Sequence, residues 1–320
     1  MYTELQQLLD KTRLNLYLRK IFETLFAQDQ PIVRLDLRTV RILPEDVLGF
    51  LKILSEITKL RTLRHIALQI DDLKDEQVLP IIESLKGIAL LETCWLTGSG
   101  GCGTKVISAI GEVVETQESL KQFYLHSPSL SDEDSIILVA ALKRNRSISQ
   151  ISIHSSQLER KGVEVVLSLL DEPIEALDVQ CKALDLDSCR LLQQKLLIQT
   201  TLVTIGLDAD IITDLQIIMD GVRLNTSLTA AFIRTNVPPV KQKELDEELQ
   251  MICERNLTRK TEISEKMASV EQQLKAIQRE LGVHSLEALF SKIGSLEMQR
   301  TYPLGRLLHV EEVGSPANKM

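Results

Sequence analysis

Leu120 to Ser147 reads L-K-Q-F-Y-L-H-S-P-S-L-S-D-E-D-S-I-I-L-V-A-A-L-K-R-N-R-S, and this stretch decides the fold. Apolar residues stand at its first, fourth, sixth and eleventh places, and helical spacing follows through Ile136, Val139, Ala140 and Leu142. Alternation over a few residues puts one set of side chains on one side of a strand. A change to helical periodicity marks the element that follows. The stretch therefore reads strand, turn, helix.

The same frame recurs on both sides of it. Units begin at Ile32, Leu63, Leu91, Leu120, Ile148, Ile174, Leu202 and Leu228, separated by 31, 28, 29, 28, 26, 28 and 26 residues. Their fourth and sixth places hold Leu35/Leu37, Ile66/Leu68, Cys94/Leu96, Phe123/Leu125, Ile151/Ile153, Leu177/Val179, Ile205/Leu207 and Ala231/Ile233. The eleventh holds Ile42, Leu73, Gly101, Leu130, Leu158, Leu184, Ile212 and Pro238, and of all these places only Ala231, Gly101 and Pro238 lack a sizeable apolar side chain. Helix stops resemble one another at Lys143-Arg144-Asn145, Leu224-Asn225-Thr226 and Glu254-Arg255-Asn256.

One such unit cannot bury its apolar side alone, so each leans on its neighbours. Stacked strands sit ~4.8 Å apart, whereas packed helices need ~8–10 Å. The helix side is then the longer one, and the stack bends with its strands inside. The expected fold is α/β, a solenoid or horseshoe with a parallel sheet on the concave face and helices on the convex face.

The units resemble ribonuclease-inhibitor-type leucine-rich repeats, whose pattern is L-x-x-L-x-L followed by Asn or Cys, an apolar residue and a helix. The resemblance covers residues 32–256, about two thirds of the chain. The place given to Asn or Cys in that family holds Val40, Asp71, Ser99, Pro128, Ser156, Lys182, Asp210 and Asn236 here. The regular polar ladder is therefore expected to be mostly missing, with local turns irregular and the coil less uniform.

Composition agrees with thin stacked layers. Hydrophobic residues make up 44% of the 320 and aromatics only 3%, so the core is aliphatic. A formal charge of −8 argues against nucleic acid as a partner, because that affinity comes largely from Lys and Arg neutralising phosphates. The five cysteines (Cys94, Cys102, Cys181, Cys189 and Cys253) form no C-x-x-C pair, and buried reduced thiols imply a reducing compartment. Met1-Tyr2-Thr3-Glu4-Leu5-Gln6-Gln7 lacks the basic start and apolar run of a secretory signal, and no stretch approaches the ~18 apolar residues of a membrane span. The expected location is cytoplasmic where the protein acts.

Four regions follow. Residues 1–31 form an N-terminal helical cap, with Leu5, Leu8, Leu9, Leu16, Ile21, Leu25 and Phe26 as the apolar positions of a stretch over 3–27. Residues 32–256 hold eight repeats. Residues 257–300 form a C-terminal helical segment, in which Ile263, Met267, Val270, Leu274, Ile277 and Leu281 make one apolar stripe and Ser285 to Ile293 a second short helix. Residues 301–320 are a flexible tail. The stripe is expected to pack back on the last repeat, leaving a monomer; a coiled-coil dimer is the alternative.

Catalytic signals are few. Gly98-Ser99-Gly100-Gly101-Cys102-Gly103-Thr104-Lys105 departs from a phosphate loop, which needs Lys directly after the last Gly, and it falls at the turn of the third repeat. His126 and His154 occupy the same place in successive repeats, but two ligands fall short of a zinc site, and His65, His284 and His309 add no H-E-x-x-H. No serine, histidine and acid fall in a recognisable order. No enzyme activity, cofactor or metal is expected.

The strands themselves carry the functional expectation. Third, fifth and seventh places project from the concave sheet. The fifth column is Asp36, Ala67, Trp95, Tyr124, Ser152, Asp178, Gly206 and Phe232; the seventh is Arg38, Gln69, Thr97, His126, His154, Gln180, Asp208 and Arg234. The single tryptophan thus lies beside a tyrosine on an open surface, and Trp, Tyr and Arg are the types that most often dominate binding energy. Packing of Trp95 against a loop or the cap is the competing reading. Seven gaps of ~4.8 Å and a width of ~17 Å give on the order of 600 Å², near the ~800 Å² per partner of a standard interface. Arg34 and Arg38 at one end and Asp178 and Asp208 toward the other favour an oriented protein partner. The residues assigned to binding are Arg38, Trp95, Tyr124, His126, His154, Asp178, Asp208, Phe232 and Arg234.

The expected function is a protein–protein interaction module. Its cap, repeats and helix are similar to leucine-rich-repeat effectors that intracellular bacteria inject into host cells, and Glu311-Glu312 resembles a type IV secretion signal. That resemblance implies a host protein as partner in the host cytoplasm. The alternatives are a GTPase-activating protein of the Ran type, which shares the repeat but carries a long acidic tail, and an actin-capping repeat domain resembling the tropomodulin C-terminal half.

Overall fold

The structure, a computed structural model, describes residues 2–28, 30–98 and 102–281, with residues 285 and 288 beyond them. It divides into two units, Met1–Leu257 and Thr258–Met320.

Two helices open the first unit, α1 (Thr3–Lys11) and α2 (Leu16–Ala27). Strands and helices then alternate: β1 (Arg34–Leu37), α3 (Val47–Lys59), β2 (His65–Gln69), α4 (Asp75–Leu85), β3 (Thr93–Thr97), α5 (Thr104–Thr116), β4 (Gln122–His126) and α6 (Asp132–Arg144). The alternation continues through β5 (Gln150–His154), α7 (Arg160–Leu167), β6 (Ala176–Leu184), α8 (Leu186–Ile198), β7 (Thr204–Ile212), α9 (Leu215–Leu224), β8 (Ala230–Thr235) and α10 (Pro239–Leu281). Eight strands form one sheet in sequence order, every neighbouring pair parallel. Each strand returns through a helix, as parallel neighbours require. The fold is an α/β repeat solenoid, with the closely spaced strands along its inner side.

Register follows the repeat frame residue by residue. Leu35, Ile66, Cys94, Phe123, Ile151, Leu177, Ile205 and Ala231 pair in one continuous row. All but Ala231 are buried, as are the first residues of all eight units. Membership in one aliphatic core explains why the frame repeats at near-constant steps: a residue lost from the row opens a cavity between two layers.

Several local expectations change. The stretch 3–27 is two helices, because Asn15 breaks it and caps α2 by accepting from Leu18 N at 3.0 Å. Asp46, buried beneath, accepts from Asn15 N at 2.7 Å. The inward residues of α2 are Leu18, Phe22 and Phe26, and Leu16 is 74% exposed. A Cβ on Gly49 would meet Thr12 Cγ2 at 2.6 Å and Arg13 O at 2.7 Å, so glycine lets the cap linker lie against α3. In α6 the buried face is Ser135, Leu138, Val139, Ala141 and Leu142, and Ile136 lies partly exposed. In the third repeat Cys102 fills the inward turn position, while residues 99–101 lie outside the described residues. Glu254-Arg255-Asn256 does not stop a helix, since α10 runs through it to Leu281.

Contrary to the expected absence, polar contacts link successive repeats at places other than the one the family pattern marks, at the eighth place through Ser155. The ninth places Ser156, Lys182, Asp210 and Asn236 are exposed, whereas Ser127, Ser155 and Cys181 at the eighth are buried. Ser155 Oγ lies 3.1 Å from Leu130 O and 3.2 Å from Pro128 O of the preceding repeat. A second ladder runs along the helix ends. Gln117, Asn145, Gln199 and Asn225 each follow the last residue of a helix and donate their amide hydrogens to carbonyls one repeat earlier. Asn256 does the same from within α10, to Asn225 O at 3.0 Å and Leu228 O at 2.8 Å. The last carbonyls of a helix have no partner within it, so these amides satisfy groups that burial would leave bare.

The five cysteines are buried and unbridged. Burial pushes the thiols of Cys94 and Cys181 up to about 12 and that of Cys102 to about 11, which keeps them protonated and unreactive at neutral pH. Among the described residues no helix is long and apolar enough to cross a membrane. In the second unit, Ile263, Met267 and Val270 are 49%, 68% and 53% exposed. The short helix expected at Ser285 to Ile293 and the tail at 301–320 fall almost wholly outside the described residues.

Candidate functional site: the inner sheet face

The pairing places the fifth-column residues in register across all eight strands, Asp36 to Ala67 to Trp95 to Tyr124 to Ser152 to Asp178 to Gly206 to Phe232. These residues alternate with the buried rows, so their side chains leave the sheet on the face away from the helices.

One cluster forms on β1 to β4. The Trp95 and Tyr124 rings stack with centroids 4.4 Å apart at 23°, and Arg38 Cζ lies 4.9 Å from the Trp95 ring centroid. Arg38 reaches over from the turn after β1 because the intervening fifth place is Ala67, too small to block it. Asp36 fixes the arginine fork: Arg38 Nε donates to Oδ1 at 2.9 Å and Nη2 to Oδ2 at 2.7 Å, and Arg34 Nη2 adds a third bond at 2.9 Å. The Arg38 guanidinium, with Arg34 assisting, holds the Asp36 carboxyl far below the usual carboxylate range. Arg34, Arg38, Trp95 and Tyr124, with His65, Thr93 and Gln122, line a cavity of about 250 Å³. Trp95 is half-buried on this face, stacked on Tyr124 and covered by Arg38 from the turn after β1.

A row of polar side chains ties the same strands together at the third place. Gln122 Nε2 donates to Gln150 Oε1 at 2.8 Å, and Thr93 Oγ1 donates to Gln122 Oε1 at 3.1 Å. With its only hydroxyl hydrogen so used, Thr93 accepts from His65 Nδ1 at 3.0 Å. This column, like the fifth and seventh, projects outward from the sheet. Its signal was a run of polar residues, His65, Thr93, Gln122 and Gln150, at one place in four successive units.

A second cluster forms on β5 to β8. His154 Nε2 lies 2.7 Å from Asp178 Oδ2 and 3.0 Å from Ser152 Oγ, and Ser152 Oγ donates to Asp178 Oδ2 at 3.1 Å. The hydrogen on Nε2 thus serves both acid and hydroxyl. In a nucleophilic relay the acid holds one imidazole nitrogen and the serine faces the other, bare one. Here both partners crowd one nitrogen, and the serine hydrogen points to the acid. Burial of Asp178 raises its carboxyl, but the bonds and charge of His154, helped by Ser152 and Arg234, outweigh it and hold the group below its ordinary value. A Cβ on Gly206 would meet Asp178 Oδ1 at 2.3 Å, so glycine makes room for that carboxylate. Asp208, Phe232 and Arg234 join His154 and Asp178 around a cavity of about 280 Å³, and Phe232 is 52% exposed.

His126 borders the second cluster. Its ring meets that of His154 edge-on, with centroids 5.9 Å apart. Burial lowers its basicity and His154 lowers it further, with Asp71 acting weakly the other way. Tyr124, between the clusters, has its phenol pushed up by burial and by the Asp178 charge. All nine residues assigned to binding by the sequence thus lie on this face, most of them in two clusters.

No family model matches the chain, and no curated protein matches it. Among solved structures it is similar to one titled Leiomodin-1 Actin-Binding Site 2 (ABS2), at 12% identity and a TM-score of 0.32, over 63% of this chain and 96% of that one. A likeness of that strength carries no argument about what this chain binds.

Proposed function

We propose that the inner sheet face binds a protein partner, with Arg38, Trp95 and Tyr124 as the anchoring cluster and His154, Asp178, Asp208, Phe232 and Arg234 as the orienting one. The observation that carries this reading is the half-buried Trp95–Tyr124 stack on the sheet face, under an arginine whose fork is already fixed by Asp36. A rigid aromatic surface loses little conformational freedom on binding, and such residues contribute most where they are desolvated by a partner. The second cluster is ~14 Å away, three strand spacings, and its charges favour one orientation of that partner.

No catalytic role is proposed for Ser152, His154 and Asp178, because the imidazole nitrogen facing the serine is the one that carries the hydrogen. The injected-effector reading rests on the region order and on Glu311-Glu312 alone, and that pair lies outside the described residues.

The test is quantitative capture of interacting proteins by wild type, by Trp95→Ala with Tyr124→Ala, and by Arg144→Ala on α6 as a control. The double variant should lose a specific partner that the control retains, with circular dichroism unchanged in both. Equal recovery by all three would move binding away from this face. A GTPase assay on the same samples separates the Ran-type reading, since acceleration of hydrolysis would replace the present proposal.

A further inference from the structure

Beyond Leu257, α10 has no solenoid row to join, yet it keeps an apolar stripe. Ile263, Met267, Val270, Leu274 and Ile277 follow one another at steps of four, three, four and three, and Leu281 continues the sequence at four. The first three and Ile277 are between 39% and 68% exposed, and the stripe borders an open groove of about 700 Å³. A lone surface helix facing only the side of a globular domain drifts at 3.6 residues per turn, whereas a strict 3.5-residue repeat keeps one seam facing another helix.

The alternation fixes the heptad phase. Met267 and Leu274, with Leu281 after them, take the a positions; Ile263, Val270 and Ile277 take d. Flanking positions then show which copy faces which. In a parallel arrangement each g residue meets the e residue five places later on its neighbour. Lys266 at g meets Glu271 at e, and Gln273 meets Gln278, so no like charges oppose. An antiparallel pairing centred on the same stripe sets Glu271 against Glu271 of the other copy. Glu271 also pairs with Lys275 on its own helix, at 2.6 Å.

Branching at d gives the number of strands. β-branched residues pack well at a of a two-stranded coil and poorly at d, while unbranched a with β-branched d favours three or four strands. Here every d residue is Ile or Val and no a residue is β-branched. We propose that residues 263–281 join this chain to further copies of itself, as a parallel coiled coil of more than two strands.

The test is the mass of the full chain by sedimentation equilibrium, against a protomer of 36.0 kDa. Three or four protomers are expected, and Met267→Glu with Leu274→Glu should return the mass to one protomer while the solenoid keeps its circular dichroism. Val270→Cys should cross-link copy to copy on oxidation, because a parallel coil puts identical d residues in one layer. Lys266→Glu should weaken association at low salt, and Glu271→Lys in the same chain should restore it. A wild-type chain that sediments as a monomer overturns the proposal, and so does one whose segment after Leu281 covers the stripe instead. A stable dimer overturns the strand number, and an oligomer that fails to cross-link through position 270 overturns the orientation.

Discussion

Two polar systems repeat at the same step along the solenoid and behave in opposite ways. The amides at the helix ends are chemically alike from rung to rung: Gln117, Asn145, Gln199, Asn225 and Asn256 all donate to carbonyls of the preceding repeat. Across the inner face the residue type changes at nearly every step, from Asp36 through Trp95, Tyr124 and Ser152 to Phe232. Near-identical turns pose the same hydrogen-bonding problem, so one solution recurs, although Leu60, Ile88 and Asp171 take that place in three repeats. A surface that only has to be complementary to something else carries no such demand. Uniformity marks what holds this molecule together, and variation marks what it presents.

The contrast breaks first, and hardest, on the ladder. Asn225 is 3% exposed; its amide donates at 2.7 and 2.9 Å to Leu196 O and Gln199 O, while its oxygen accepts from Ser227 N and Leu228 N. Asn225→Ala leaves several buried groups bare and should cost about 3 kcal/mol of stability, since each unsatisfied group costs ~1–3 kcal/mol. Asn225→Asp keeps the shape, loses both donors and should cost at least as much. Urea unfolding checks both, and a loss below ~1 kcal/mol would remove the ladder from the account of stability.

Trp95→Ala should show the reverse balance. Losing the Tyr124 stack removes ~0.5–1.5 kcal/mol of folding stability. Loss of an interface anchor costs more than ~2 kcal/mol, roughly thirty-fold in affinity. Calorimetric titration with the captured partner measures the second effect. A variant that unfolds as readily as Asn225→Ala would make the indole a structural residue. Gly206→Ala sharpens the picture at the other cluster. Its new methyl group must displace the Asp178 carboxylate, so the His154 contact should be lost with a smaller fall in affinity and little change in stability, visible as a shift of the His154 ring resonances.

The rows of aliphatic residues were legible because their period is set by packing, and packing writes the same residue class at each layer. Trp95 beside Tyr124 was legible for the same reason, once the frame fixed which residues point away from the core. Contacts made by long side chains across a skipped strand were not. Nothing in the order Arg38, Ala67, Trp95 states that the arginine crosses the alanine, since reach and rotamer decide it. The amide ladder was half visible. Asn145, Asn225 and Asn256 were seen as similar helix stops, but Gln117 and Gln199 carry the same amide on a longer stem and stand three places before a unit begins, where the family pattern has no mark. Asn256 also misled, because a residue that satisfies the preceding turn does not have to end its own helix.

The smallest effect separates the two systems by pH. Burial, then the His154 charge, lowers the His126 pKa below its ordinary 6.5. A lowered histidine contributes stability that is fully present above pH 6.5 and is lost as the pH falls toward the folded value, because the unfolded chain binds the proton more readily. Asp178, held below 3.8, acts in the same direction only in stronger acid. The amides of the ladder do not titrate. Lowering the pH from 7 to 5 should therefore shift the urea midpoint of wild type slightly downward, and that shift should shrink in His126→Gln. The difference between wild type and Asn225→Ala should stay constant across the same range. A pH-dependent Asn225 effect would mean that the helix ends and the inner face are energetically coupled, and the division of labour between them would no longer hold.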